Sequence, residues 1–124
     1  MSVPTMTTEQ IVDNLRERAL KVCQLSLEIT TRGVAQAFAE VHGHTNHVSA
    51  VIRPVDAIIP EDESPRPEMA FLRLRLYEYD FLDQEQKEED FLEQVTDADR
   101  YIAYLEQLLA QGKAITLAAI RGTA

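Results

Sequence analysis

The sequence predicts an α+β fold in which two long helices pack against an antiparallel β-hairpin. Apolar residues recur at helical spacing from Ile11 to Ile29 and again from Phe91 to Leu109. Between these segments, the chain is rich in β-branched residues and in strictly alternating apolar residues. A length of 124 residues fits one domain. We therefore expect residues 7–124 to form a single compact domain, preceded by a disordered or cloning-derived N-terminus at residues 1–6.

The first helix is predicted to begin near Thr7. Thr7 and Gln10 have the spacing of a capping box, in which each side chain satisfies a backbone N–H group of the first turn. The segment QLSLEIT, residues 24–30, alternates between apolar and polar residues, which is typical of a strand. No turn residue directly precedes this segment. We therefore favour a continuous helix, and a strand over residues 24–30 is the alternative.

The chain after Thr30 is predicted to continue as a helix beyond a bend or break near Gly33. Apolar residues at helical spacing between residues 34 and 41 support this continuation. Gly43 follows them, and glycine is favoured just past the last residue of a helix. The predicted helix therefore ends at Gly43.

An antiparallel hairpin is predicted from the next two apolar segments. The first, HVSAVIRPVDAII, is rich in β-branched residues, and its Pro54 favours an edge position or a bulge. The second, MAFLRLRLYEY, places its leucines on one face, which we expect to pack against the helices. Aromatic and basic residues occupy the opposite face: Phe71, Arg73, Arg75, Tyr77 and Tyr79. Two interpretations stay open: this face binds a partner, or a helix of the same chain covers it and the arginines pair with local acids.

The last long element is predicted to be a helix that begins after Asp83 and ends at Gly112. Thr96 and Asp99 have capping-box spacing, so a break near residue 96 is an alternative. The tail, residues 114–120, is expected to form a short C-terminal strand, with a helix as the alternative. The apolar residues of the long helix follow a heptad spacing: Phe91, Val95, Ala98, Ile102, Leu105 and Leu109.

The predicted core draws on both helices and on the second strand. Its members are Leu15, Val22, Leu27, Phe38, Leu72, Leu74, Phe91, Ile102, Leu105 and Leu109. Cys23 has apolar neighbours at helical spacing, so we expect it to be a buried small hydrophobe.

The negative charge of the chain is concentrated in one stretch. The formal net charge is −9, and residues 78–99 alone carry ten acidic residues and one basic residue, hence −9. A surface of this sign repels phosphate groups, so direct binding to nucleic acid or to anionic membranes is disfavoured. A protein with a basic surface is the kind of partner that this field attracts.

The sequence indicates no enzymatic activity. The chain has four glycines and no glycine-rich phosphate loop, and no serine stands in the context of a nucleophile elbow. The single cysteine, Cys23, lacks the electropositive setting that favours a thiolate. One cysteine also suits a reducing compartment, and we expect a cytoplasmic protein without a cofactor.

The three histidines of the chain lie close together in the segment VHGHTNH. His42, His44 and His47 could approach one Zn²⁺, because neutral imidazole is the commonest side-chain ligand of that metal. The favoured interpretation is that they mark the end of a helix and the start of a strand. A metal-binding protein built on this segment is the alternative.

The expected function is that of a small acidic protein that binds another protein and inhibits or modulates it by covering a basic surface, including one that binds nucleic acid. The acidic segment would then imitate a phosphate array. A structural subunit of a larger assembly is a further alternative, and the heptad seam could also join a homodimer. The expected partner-binding residues are Arg73, Arg75, Tyr77, Tyr79, Glu85, Glu88, Glu89, Asp90, Glu93 and Asp97.

Overall fold

The computed structural model describes residues 6–56, 68–77 and 80–120, and it confirms the α+β fold class. Two long helices lie against one face of a three-stranded antiparallel sheet with the strand order β1-β2-β3. The elements in chain order are α1 (Thr8–Thr31), β1 (Gln36–His42), β2 (His47–Arg53), β3 (Ala70–Arg75), α2 (Gln84–Gln111) and the short α3 (Leu117–Ile120).

Helix α1 begins and continues as predicted. Thr7 is its N-cap, and the Thr7 and Gln10 side chains form the capping box with the two backbone N–H groups. The QLSLEIT segment is helical, so Leu25 and Ile29 are buried while Leu27 is 66% exposed. The prediction that Leu27 belongs to the core is therefore wrong.

The predicted helix between residues 34 and 41 is wrong, because this segment forms β1. Gly33 adopts a φ of +69°, a left-handed conformation that turns the chain away from α1. Strand β1 then pairs with β2 over its whole length, from Gln36 opposite Arg53 to His42 opposite His47. Gly43 lies in the turn of this hairpin and ends no helix.

The predicted pairing of the two middle segments is confirmed, because β2 and β3 form an antiparallel pair from His47 opposite Arg75 to Ile52 opposite Ala70. Strand β2 is the central strand and ends at Arg53, directly before Pro54. The predicted edge position or bulge is therefore wrong: Pro54 lies outside the strand, where its missing N–H group removes no ladder hydrogen bond. The end of the predicted segment, residues 57–59, lies outside the described residues.

The C-terminal tail forms no strand in the described part of the chain. Its Ile115 accepts a hydrogen bond from the Val55 N–H (2.8 Å) and donates one to the Val34 carbonyl (2.9 Å). The short helix α3 follows, with its Leu117 N–H bound to the Asp56 carboxylate (2.8 Å). The helical alternative is thus correct for residues 117–120, whereas residues 114–116 form neither a helix nor a strand.

Helix α2 is capped at both predicted ends. Asp83 and Gln86 form a capping box at the N-terminus, and Gly112 ends the helix in the left-handed conformation, with a φ of +63°. The helix is continuous through Thr96, so the predicted break at that residue is wrong. No helix in the described part of the chain combines the length and the apolar character needed to cross a bilayer.

The core lies between the helices and one face of the sheet. Predicted core residues Leu15, Val22, Leu72, Leu74, Phe91 and Leu105 are buried, whereas Ile102 and Leu109 are half-buried at its margin and Phe38 lies on the opposite face of the sheet. Cys23 is half-buried. The buried positions of α2 are shifted by one residue relative to parts of the predicted seam: Phe91, Gln94, Ala98, Tyr101, Leu105 and Leu108.

Replacing Leu25 by alanine should destabilise the protein much more than replacing Leu27. Leu25 is 5% exposed, so its truncation leaves a cavity and should lower the free energy of unfolding by about 2–4 kcal/mol. Leu27 is 66% exposed, so its truncation should lower the free energy of unfolding by less than about 1 kcal/mol. Urea denaturation of both variants measures the difference. Equal destabilisation would contradict the helical register of this segment.

Candidate interaction site

The sheet face that points away from the helices carries an apolar row across all three strands. Phe38, Val51 and Phe71 are cross-strand neighbours at matching register positions. Phe71 is 60% exposed, although it is a large aromatic residue on a regular strand. No described helix covers this row, so the sheet presents apolar surface to solvent.

Arg53 closes one end of this row and was not singled out from the sequence. Its guanidinium lies 5.2 Å from the centroid of the Phe38 ring and 3.4 Å from a carboxylate oxygen of Glu68. Arg53 is only 7% exposed. The cation–π contact and the ion pair offset part of the cost of burying this arginine, whose Nε has no hydrogen-bond partner among the described residues.

The predicted partner-binding residues Arg75 and Asp90 bind each other. The Arg75 Nη2 lies 2.5 Å from both carboxylate oxygens of Asp90, and the two side chains are about four-fifths buried. Arg75 also lies over the ring of Tyr77, at 5.9 Å from its centroid. The Arg75–Asp90 pair therefore joins β3 to the first half of α2. The predicted partner-binding residue Tyr79 lies outside the described residues.

Gln94 extends the connection between α2 and β3 along the strand edge. The backbone N–H of Arg75 points away from β2 and donates to the Gln94 side-chain carbonyl (2.7 Å). Gln94 is 8% exposed, and its side-chain amide nitrogen has no partner among the described residues. A glutamine in a heptad-spaced helix gives no sequence signal for this role, because the contact joins residues 19 positions apart.

The outer side of α2 carries the remaining predicted acidic residues. Glu85, Glu89, Glu93 and Asp97 are exposed, and none of them forms an ion pair with a described residue. Glu88 is half-buried and accepts a hydrogen bond from the Gln84 side chain (3.3 Å). We call Glu85, Glu89, Glu93 and Asp97 the acidic face. Leu92 lies beside it and is 62% exposed.

A groove of about 550 Å³ separates the outer edge of β3 from α2. Phe71 and Arg73 line its strand side, and Asp97, Arg100 and Tyr101 line its helix side. Tyr101 is 5% exposed, and its hydroxyl has no hydrogen-bond partner among the described residues. Burial, with a smaller effect of neighbouring Tyr104, raises the pKa of the Tyr101 hydroxyl, which therefore stays protonated.

The histidines lie at the β1–β2 turn. The interpretation that they mark the end of a helix is therefore wrong. The rings of His42 and His47 are stacked, with centroids 4.3 Å apart. His42 Nε2 is 3.0 Å from the Ser49 hydroxyl, and His47 Nδ1 contacts the Thr45 hydroxyl. His44 is exposed in the turn. Among the described residues, no group of three His, Cys, Asp or Glu side chains is arranged to hold a metal ion.

Three comparisons with known proteins were made, against protein-family models, curated protein sequences and solved structures, and none of them finds a match.

Removing either partner of the Arg75–Asp90 pair should destabilise the fold. A double-mutant cycle with Arg75→Met and Asp90→Asn is expected to give a coupling energy of about 1–3 kcal/mol, because the pair is largely buried. The exposed Arg32–Glu28 pair of α1 is the matched control, and its coupling should stay below about 0.5 kcal/mol. Equal coupling in both cycles would contradict a structural role for Arg75 and Asp90.

The pKa of His47 is expected to lie below its ordinary value of 6.5, because partial burial, the charge of Arg73 and the neighbouring His42 all disfavour the imidazolium. The unfolded chain then binds a proton that the folded chain does not, so stability should fall as the pH drops below about 6.5. Arg73→Gln should raise the pKa of His47, measured by NMR titration of its ring protons. Arg32→Gln, on α1, is the control and should leave that pKa unchanged.

Proposed function

We propose that this chain is a non-enzymatic protein that binds a basic surface of another protein through the acidic face of α2 and thereby blocks or modulates that surface. One observation carries the proposal: two acids of α2 form ion pairs within the chain, whereas the residues of the acidic face form none with a described residue. Asp90 and Asp99 bind Arg75 and Arg18 within the chain. The residues of the acidic face, in contrast, form no ion pair with a described residue.

This division supports a docking role because the unpaired charges of α2 surround an exposed apolar residue, Leu92, in one surface depression. Glu85, Glu89 and Glu93 follow one another at intervals of four residues, so they lie in a row along one side of the helix. Like charges at this spacing repel each other by a few tenths of a kcal/mol per pair. A bound basic partner offsets the repulsion between these carboxylates, because its positive charges are attracted by the whole row.

The mechanism combines electrostatic steering with an apolar contact. The carboxylates raise the rate of encounter with a basic surface, and this effect weakens as salt screens the charges. Leu92 projects from the same part of the helix and lines a surface depression together with Glu89, Glu93 and Asp97. In a protein–protein contact, an apolar side chain that becomes buried on binding is usually surrounded by a polar and charged rim.

The proposal is tested by reversing three charges of the acidic face. The triple variant Glu85→Lys, Glu89→Lys and Glu93→Lys should lose proteins that the unmodified chain captures from cells of its source, quantified by mass spectrometry at low and high salt. For a captured partner, association should slow about tenfold or more at low salt, and the difference should shrink at high salt.

Helix α1 offers a matched control for the same charge change. Glu9, Asp13 and Glu17 are exposed, have the same spacing, and begin in the first turn of their helix, as Glu85 does in α2. Reversing these three residues changes the net charge equally but should leave capture intact. Equal loss in both variants, or capture that is insensitive to salt, would show that the acidic face is not the docking surface.

A further inference from the structure

The helical layer of this protein is wider than the sheet beneath it. Three strands at a spacing of about 4.8 Å cover about 14 Å, whereas two helices side by side cover about 20 Å. Helix α1 contacts β1 and β3, and α2 contacts the sheet through β3. The excess width therefore lies at the outer edge of β3, which is where the groove is found.

The outer edge of β3 has backbone groups that form no hydrogen bond with another described residue. The Leu76 N–H binds the Asn46 carbonyl next to β2, and the Arg75 N–H binds Gln94 on the opposite side. Because strand residues alternate in direction, the N–H groups of Arg73 and Phe71 point the same way as that of Arg75. Neither is bound to a described residue of α2, so Gln94 satisfies only one position of this edge.

The side of the groove opposite β3 contains a buried polar group without a partner. The Tyr101 hydroxyl has none among the described residues, and Tyr101 is more than nine-tenths buried. Unsatisfied polar atoms of this kind are uncommon and costly in folded proteins.

The charged residues around this groove indicate which side chains a ligand of the groove would carry. Asp97 and Arg100 line both the groove and the neighbouring depression, which also contains Glu89 and Glu93. A chain that leaves the groove across Asp97 therefore runs onto the acidic face. Lysine or arginine side chains at that end of the ligand match these carboxylates.

We propose that β3 is the acceptor edge for an extended segment of the partner protein, which adds to the sheet as a fourth strand between β3 and α2. Its backbone pairs with Phe71 and Arg73, its apolar side chains cover Tyr101 and Tyr104, and its basic end meets the acidic face. This inference rests on the proposed function and adds to it the conformation and chemistry of the partner's contacting segment.

The probe is a library of random linear peptides of about twelve residues, roughly twice the length of β3. Selection on the intact protein at low salt should enrich peptides that combine Lys or Arg at one end with alternating β-branched or aromatic residues. An enriched peptide should slow amide hydrogen exchange of Phe71 and Arg73 about tenfold or more, as measured by NMR.

Two changes test the backbone pairing separately. N-methylation of alternate peptide amides removes edge hydrogen bonds without altering the protein, and Arg73→Pro removes the outward N–H from an edge strand that tolerates proline. Each should weaken binding about tenfold or more, since each removes hydrogen bonds or blocks close approach. The control Val41→Pro places the same residue at an exposed position of β1, the opposite edge strand, and should bind within about threefold of the unmodified protein.

The outcomes separate this inference from the proposed function. Peptides that require the acidic face but leave the Phe71 and Arg73 amides unprotected would overturn strand addition and leave the acidic face as the docking surface. The same holds if no peptide is enriched while a captured partner remains sensitive to the α2 charge reversal. Peptides that protect β3 but bind the α2 charge-reversal variant unchanged would overturn the basic end of the ligand and the proposed function together.

Discussion

The structure depends on the burial of one sheet face beneath two helices. Val48, Ala50 and Ile52 of the central strand all point toward the helices and are at most 2% exposed. Because strand side chains alternate, this burial directs every other residue of the sheet to the opposite face. Because Leu72 packs inward, its neighbours Phe71 and Arg73 point away from the core and lie at the outer side of β3.

Helix α2 carries out two structural tasks with one buried side. Phe91, Ala98 and Leu105 complete the core, and Asp90 and Gln94 on the same side bind β3. These contacts set the rotation of the helix about its axis. The acidic face, on another side of the helix, is thereby directed to solvent. The contacts that stabilise the fold therefore also determine where the proposed binding surface lies.

The acidic face and the β3 edge are parts of one surface. Asp97 and Arg100 border both the groove and the depression around Leu92. In the complex that we propose, two kinds of contact therefore lie next to each other: screened charge attraction along the helix, and directional backbone hydrogen bonding along the strand. Attraction of the first kind acts at a distance and favours encounter, whereas the second acts only on contact and favours a defined conformation of the ligand.

The sequence by itself determined the features that depend on residues a few positions apart. The Thr7 capping box, the end of α2 at Gly112, the alternation of Leu72 and Leu74, and the location of the acidic charge were all readable, because each requires only a local pattern. The tertiary structure alone decided the rest. Residues 36–42 became a strand through pairing with β2, although their spacing also suited a helix. The pairing of Arg75 with Asp90, the role of Gln94 and the groove at β3 arise from contacts between distant segments, whose relative positions no local pattern encodes.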